Sequence, residues 1–291
     1  MAESLINTKR RINTIRSTEK ITKARKLVAS VKYQRYKKRY TSNLDYEKAR
    51  EEIRYTAFSW KDKKDPIPPL RQSYPHAKKR LFIIRTSTLG LCGSYNYAVF
   101  KRVDPMLDDN DGLLLIGGKG VSHYKSFKGK TYLEYENLRN GFSFGQIKHL
   151  RHEIVSLYKT GRYKEIHFVY TAYKNSLTFL PRDEVILPLT LDREKLKEKK
   201  DIYPPLFEPD KNEVLLKTAA HYLDSFLYSR LLESELSELS SRRNAMENAT
   251  DNAEEIENEL RIRYNKRRQG AITQEITEIV AGANAGKKNE D

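Results

Sequence analysis

The sequence predicts an α/β insert carried between the two arms of a long antiparallel α-helical coiled coil, the arms being the N- and C-terminal helices. The first observation is where the punctuation falls. All ten prolines lie between Pro66 and Pro209, no glycine precedes Gly90, and none lies between Gly161 and Gly270. Residues 1 to about 60 and about 211 to 280 are therefore free of helix breakers apart from Gly270, while the middle holds nearly all the turns. The second observation is that the apolar residues of both flanks recur at helical spacing. The third is that short strand-like runs alternate with helical patterns between them.

The N-terminal arm is assigned to residues 1–60. Leu5, Thr8, Ile12 and Ile15 step by 3, 4 and 3, and Ile21, Ala24, Val28 and Val31 repeat the pattern. The α/β domain, of Rossmann-like type, is assigned to residues 66–209. RLFIIRTST (Arg80 to Thr88), DGLLLIGGKG (Asp111 to Gly120) and KEIHFVYTAY (Lys164 to Tyr173) read as strands, and GQIKHLRHEIVSLYKTG (Gly145 to Gly161) as a helix. That rhythm predicts a largely parallel sheet. The C-terminal arm is assigned to residues 211–285, with a polar tail at 286–291. Ala249, Ala253, Ile256 and Leu260 step by 4, 3 and 4, and Ile272, Ile276 and Ile279 resume after a phase shift. Such seams are narrow, of the coiled-coil kind. At 1.5 Å per residue each arm would run roughly 80–100 Å, so the two are expected to cover each other as a protruding pair.

Composition narrows the function. Of 291 residues 38% are hydrophobic and 32% charged, less apolar and more charged than an average globular chain. The net charge of +16 calls for an acidic partner: nucleic acid, a membrane face or an acidic protein surface. Cys92 is the only cysteine, which predicts no disulfide framework and a reducing compartment. The opening MAESLINTKRRIN lacks the apolar core of a signal peptide. No apolar run approaches the ~18 residues of a membrane span, so any membrane association is expected to go through another protein or through charge, without direct insertion.

Three stretches invite catalytic readings. GGKG (Gly117 to Gly120) follows a strand, but a phosphate loop would need its first glycine at the position of Leu113, and Val121 stands where Ser or Thr would meet magnesium. A tight strand-to-helix turn is expected instead. His149 and His152, in HLRH, lack a third ligand at a suitable spacing. GLCGSYN (Gly90 to Asn96) sets Cys92 between glycines, but no His and Asp partner can be assigned. No active site is predicted, which leaves a small nucleotide-binding enzyme as the weakest reading. A nucleic-acid arm is a second reading. The first forty residues hold thirteen Lys or Arg against Glu3 and Glu19, with Tyr33, Tyr36 and Tyr40 interleaved among Lys37, Lys38 and Arg39. A solvated coiled-coil face explains the same residues. From Glu233 to Glu259 the opposite arm carries nine acids and only Arg242 and Arg243, so arms of opposite sign are expected to attract.

NATDNAEEIENELRIRYNKRRQGAITQEITEIVAGANA (Asn248 to Ala285) closely resembles the C-terminal signature of the F-type ATP synthase gamma-subunit family, and RRINTIRSTEKITKARKLVASVK (Arg10 to Lys32) resembles its opening helix. GLCGSYN, LLLIGGKG, FVYTAY and LFEP (Leu206 to Pro209) follow in the family's order. The resemblance covers nearly the whole chain. It implies the central rotor shaft of an ATP synthase or ATPase, not an enzyme on its own, which couples rotation to ATP chemistry on a ring of three alpha and three beta subunits. It further implies the epsilon subunit and a membrane c-ring as partners, with proton flow through that ring, and no nucleic acid. The expected location is the cytoplasmic face of the cell membrane, peripheral through those partners. No cofactor is expected on this chain, with ATP, ADP and Mg on partner subunits. Residue by residue, Arg242 and Gln269 match the family's contacts with beta-subunit catch loops, with Arg268, Thr273 and Glu275 as auxiliaries. Lys20, Lys23, Arg25 and Lys26 would face acidic loops of the beta subunits.

The sequence also departs from the family pattern. Arg25 stands where methionine is usual, Thr88 and Leu89 where an Asp–Arg pair is common, and Gly270 where alanine is usual, while the tail KKNED runs past the usual end. A shaft of a related ATP-driven motor without proton coupling would keep the same motifs, and is the alternative within this class.

Overall fold

A computed structural model describes residues 5–59, 69–135, 142–190 and 206–287. Its elements, in chain order, are α1 (Leu5–Ser59), β1 (Lys79–Arg85), α2 (Tyr95–Val103), β2 (Gly112–Ile116) and α3 (Gly118–His123), then β3 (Lys130–Tyr135), α4 (Phe144–Lys159), β4 (Tyr163–Tyr173), β5 (Phe179–Leu187) and α5 (Lys211–Lys287). The chain divides into two compact units, one of Met1–Val28 with Arg243–Asp291 and one of Ala29–Arg242. The second unit thus holds the sheet together with the inner parts of α1 and α5.

In that unit the strands run in the order β3-β2-β1-β4-β5. The first four are parallel, and β5 is antiparallel to β4. β1 and β2 are buried along almost their whole length, as central parallel strands with both faces covered must be. Alternate residues go to opposite faces. Leu81, Ile83, Leu114, Ile116, Ile166 and Phe168 pack with Ile147, Leu150 and Ile154 of α4 and with Leu215 to Leu231 of α5. Phe82, Ile84, Leu113, Leu115 and Val169 pack with Val99 and Val103 of α2. The strands read from sequence are β1, β2 and β4; the two edge strands escaped it. β5 contains Pro181, Arg182, Asp183 and Glu184, a composition tolerated where one side of the ladder is unpaired and useful for discouraging further pairing.

GGKG is a strand-to-helix turn. Gly117 has φ +106° at the N-cap of α3, and a Cβ there would lie 2.2 Å from the Thr86 carbonyl oxygen. The Gly120 N–H donates to Thr86 Oγ1 at 2.8 Å and the Lys119 N–H to the Ser87 carbonyl at 3.0 Å, so the turn is clamped to the end of β1. The α4 start is a capping box between Ser143 and Gln146.

Both long helices form, but their seams differ from the expected ones. On α1, residues 5, 8, 12, 15, 19, 22, 26, 29, 33, 36, 40, 43, 47, 50 and 54 are all buried or half-buried, in unbroken alternation of three and four. Glu19, Thr22 and Lys26 occupy seam positions, whereas Ile21, Val28 and Val31 are 57%, 56% and 65% exposed. Apolar identity misled here, because a strict heptad keeps its phase whatever residue sits on it. Tyr33 and Tyr36 are buried against Leu232, Leu236 and Leu239, with Tyr40 beside them. The tyrosines that suggested base stacking are core residues.

In the other unit α1 and α5 run antiparallel. Arg16 pairs with Glu257 at 2.8 Å, Lys23 with Glu254 at 2.8 Å and Lys26 with Glu247 at 2.7 Å, and Thr250 Oγ1 lies 2.8 Å from Thr22 Oγ1. The seam of α5 is Met246, Thr250, Ala253, Glu257 and Leu260, not Ile256, which is 42% exposed. The last described contact is Arg267 Nη1 donating to Thr8 Oγ1 at 3.2 Å. Ile272, Ile276 and Ile279, expected to be covered by the opposite arm, are instead 46%, 57% and 71% exposed.

Two substitutions follow. Gly117→Ala meets both the strained φ and the Thr86 carbonyl, and is expected to destabilise the fold by about 3 kcal/mol or more in urea unfolding. Gly270→Ala meets nothing within 4 Å, and is expected to raise the stability of the helical pair by about 1 kcal/mol, seen as an upward shift of its thermal transition.

Candidate interaction surface and the charge cluster beneath it

The nine residues to which contacts were assigned fall into three situations. Lys20, Arg25, Arg268, Gln269, Thr273 and Glu275 are exposed. Among the described residues one hydrogen bond links two of them, Thr273 Oγ1 donating to the Gln269 carbonyl at 2.9 Å. Helix backbone therefore leaves the Gln269 amide, the Glu275 carboxylate and the two arginine guanidiniums pointing to solvent. Lys23 and Lys26 are committed instead. Lys23 lies between Glu19 and Glu254, 2.8 Å from each, and Lys26 meets Glu247. Hydrogen bonds to these lysines hold the Glu254 and Glu247 carboxyls below the usual carboxylate range. Such pairs are exposed and individually weak.

Arg242 is the third situation. Its side chain is only 16% exposed and belongs to the sheet-containing unit. Nη2 pairs with Glu238 Oε1 at 2.7 Å and donates to the Leu89 carbonyl at 3.1 Å. Leu89, one of the two residues standing where an Asp–Arg pair is common, is thus recognised through its backbone. The neighbouring Ser241 Oγ donates to the Cys92 carbonyl at 2.7 Å, and Tyr95 OH lies 2.6 Å from Ser234 Oγ. The loop after β1, read in sequence as GLCGSYN, is stitched to α5 at three points. Cys92 is buried in that loop with Ser87 Oγ 3.5 Å and Asn96 Nδ2 3.3 Å from its sulfur, and burial pushes its thiol pKa up. His149 and His152 are exposed on α4, with Glu153 3.7 Å from His149.

Below Arg242 lies a cluster that sequence reading missed. Arg85, the last residue of β1, is 1% exposed, and its Nη2 donates to Glu235 Oε2 at 2.6 Å and Glu238 Oε2 at 3.1 Å. Nε and Nη1 of Arg85 have no hydrogen-bond partner among the described residues. Glu238 thus bridges Arg85 to Arg242. Burial pulls the Arg85 pKa down, but Glu238 and Glu235 more than reverse it. Burial and then the Glu238 charge push the Glu235 carboxyl up to about 7, against the pull of Arg85, because two carboxylates compete for a single guanidinium nitrogen. The signal was present in RLFIIR: an arginine closing an apolar central strand must be paired, and among the described residues its acidic partners are Glu235 and Glu238 of α5.

Since Glu235 binds its proton more tightly folded than unfolded, stability should fall as pH rises from about 4.5 to about 7. Glu235→Gln removes that contribution. Urea midpoints measured across the window should slope less in the variant than in the native chain; equal slopes would assign the proton elsewhere.

With this geometry in place, comparison with known proteins is specific. The profile of a family described as ATP synthase matches residues 4–285. An ATP synthase gamma chain of Mesoplasma florum is 39% identical over 284 residues, 97% of this chain and 98% of that one. One of Clostridium pasteurianum is 36% identical over 296 residues, 99% of this chain and all of that one. Among solved structures, the central stalk and c-ring structure of the Tetrahymena thermophila mitochondrial ATP synthase contains a similar chain, with TM-score 0.59 and 27% identity over 79% of this chain and 99% of that chain. A chain of the Euglena gracilis mitochondrial enzyme shares the fold, with TM-score 0.69 and 17% identity over 99% of this chain and 96% of that one.

Proposed function

This chain belongs to the ATP synthase gamma-chain family, a non-catalytic rotor subunit, and on that premise we propose how its surface couples rotation to ATP chemistry. The shaft turns inside a ring of alpha and beta subunits that bind ATP, ADP and Mg and do the chemistry. Its sheet-containing unit meets the epsilon subunit and a membrane c-ring that carries protons. The chain works at the cytoplasmic face of the cell membrane, held there by its partners; no described helix is long and apolar enough to cross a membrane.

The observation that carries the contact assignment is the split between spent and unspent polar groups. One asymmetric shaft faces three near-equivalent surfaces, so each contact must form and break in turn. Broad apolar burial is non-directional and would hold one orientation too firmly. Hydrogen bonds and exposed ion pairs are directional and individually modest. Lys20, Arg25, Arg268, Gln269, Thr273 and Glu275, exposed on the helical pair, engage the beta subunits directly. Lys23 and Lys26 contribute from within pairs they already make with Glu254 and Glu247, sharing rather than changing partner. Arg242 acts from a fixed position, because Glu238 and the Leu89 carbonyl hold its guanidinium. Each beta subunit then takes the conformation favoured by the rotor face it meets, a population shift set by differential contact energy.

In a reconstituted complex of this chain with its alpha and beta partners, changing Arg242 and Gln269 together to alanine should cut ATPase activity by about ten-fold or more while leaving the complex assembled. Full activity in an assembled complex would remove both residues from the coupling surface.

A further inference from the structure

A cavity of about 410 Å³ opens between α1 and α5 within the sheet-containing unit, in the size range of small-molecule sites. Ala49, Ile53, Val214 and the ring of Tyr222 form its wall, and Arg50, Arg54 and Lys217 line it as well, with no aspartate or glutamate among the lining residues. Ile53 is 62% exposed, an apolar side chain left largely open among the described residues. The two arginines are 8% exposed, and their guanidiniums stack on Tyr222 with 4.8 and 4.1 Å to the ring centroid.

Their charges are thinly compensated. Both lean on Glu51, at 3.3 Å from Arg50 and 2.7 Å from Arg54. Arg50 has a second, looser contact with Glu47 at 3.6 Å, and Glu47 also serves Arg230 at 3.3 Å. Nε and Nη1 of Arg50 and Nε of Arg54 are buried with no hydrogen-bond partner among the described residues. Buried cations with unmet donors beside an apolar wall are costly to keep, and that cost falls when an anion arrives. An anion alone satisfies only half of such a site, because Ile53, Val214 and Ala49 offer it nothing.

We propose that this cavity binds a single-chain anionic amphiphile, a carboxylate or phosphate on an unbranched alkyl chain. The head group lies against Arg50 and Arg54, with Lys217 at the rim, and the chain covers Ile53 and Val214. The unmet N–H groups sit beneath the lining, so the head group meets the guanidinium charge first and reaches those donors when the arginine side chains turn toward it. A free fatty acid and a phospholipid share this head-group chemistry; the cavity volume favours the single chain.

The test is titration calorimetry on the purified full-length chain with dodecanoate and dodecyl phosphate below their micellar concentrations. Dodecanol, inorganic phosphate and phosphatidylglycerol vesicles serve as comparison ligands. One molecule per chain of either anionic amphiphile is expected, with dodecanol and phosphate weaker by about ten-fold or more. Arg50→Gln with Arg54→Gln should weaken dodecanoate by a similar factor. Ala49→Trp, which fills the cavity from an exposed helical position and keeps every charge, should abolish binding and so separates loss of the site from loss of the fold. The proposal is overturned if dodecanol binds as well as dodecanoate, if Ala49→Trp binds normally, or if only vesicles bind.

Discussion

Helix α5 is buried on all sides from Leu231 to Ser241, and seven of those eleven residues are serine or glutamate. A helix surrounded in this way is usually apolar all round. Here the polar groups must find partners inside the protein, and the way most of them do so organises the unit around it. Leu231 faces the sheet core, Leu232, Leu236 and Leu239 face the tyrosines of α1, and Glu235 and Glu238 face Arg85. Removing one partner of such a pair leaves an uncompensated buried charge, a loss of about 3–5 kcal/mol. The register between α5 and β1 is thereby fixed more sharply than leucine packing alone would fix it, since a slip of one residue would strand both carboxylates. The serines complete the fit: they are small enough for close approach, and Ser234 and Ser241 hydrogen-bond to Tyr95 and the Cys92 carbonyl.

The helical pair uses the opposite economy. Its seam positions Glu19, Thr22, Lys26, Thr250 and Glu257 are polar, so little apolar area is removed from water and the arms are held by spaced ion pairs and a threonine–threonine bond. Exposed pairs are individually weak and weaken further with salt. Arms held this way keep a soluble surface over a great length. They also leave whole apolar side chains, Ile21, Val28 and Val31, facing outward, available to whatever surrounds the shaft. A motor shaft gains from this, because its two helices need not compete with the stator for the same apolar residues.

How much of this was legible depends on which signal carried it. Long helices, their antiparallel pairing and the parallel sheet followed from where prolines and glycines are missing and from runs such as RLFIIR and GLLLI. Those signals are local, and backbone geometry enforces them. The seam of α1 was only half legible: Ile12 was found, but the outward Ile21 and Val31 were taken for seam because apolar identity was read ahead of heptad phase. The tyrosines of α1 were weighed as a stacking platform, since nothing in the sequence tells that Leu232, Leu236 and Leu239 sit opposite. Edge strands β3 and β5 gave no signal because edges are built from polar residues. The Arg85 cluster depended on pairing between residues about 150 apart, which no local pattern displays.

The stretch from Arg268 to Val280 shows how the two economies meet on one helix. Ile272, Ile276 and Ile279 step by four and three along one face, yet all three are exposed among the described residues. Their apolar area is a thin line, far from the continuous patch that fixes an obligate interface. Gln269, Thr273 and Glu275 flank that line with directional groups. A partner gripping such a surface gains a small amount of burial at any rotation and a specific bond only at some rotations. The energy difference between orientations then comes almost entirely from the polar groups, while the isoleucines supply a nearly rotation-independent attraction. For the proposed rotor this is the required division. The apolar line keeps the shaft seated, and the polar residues tell the ring which way it is turned.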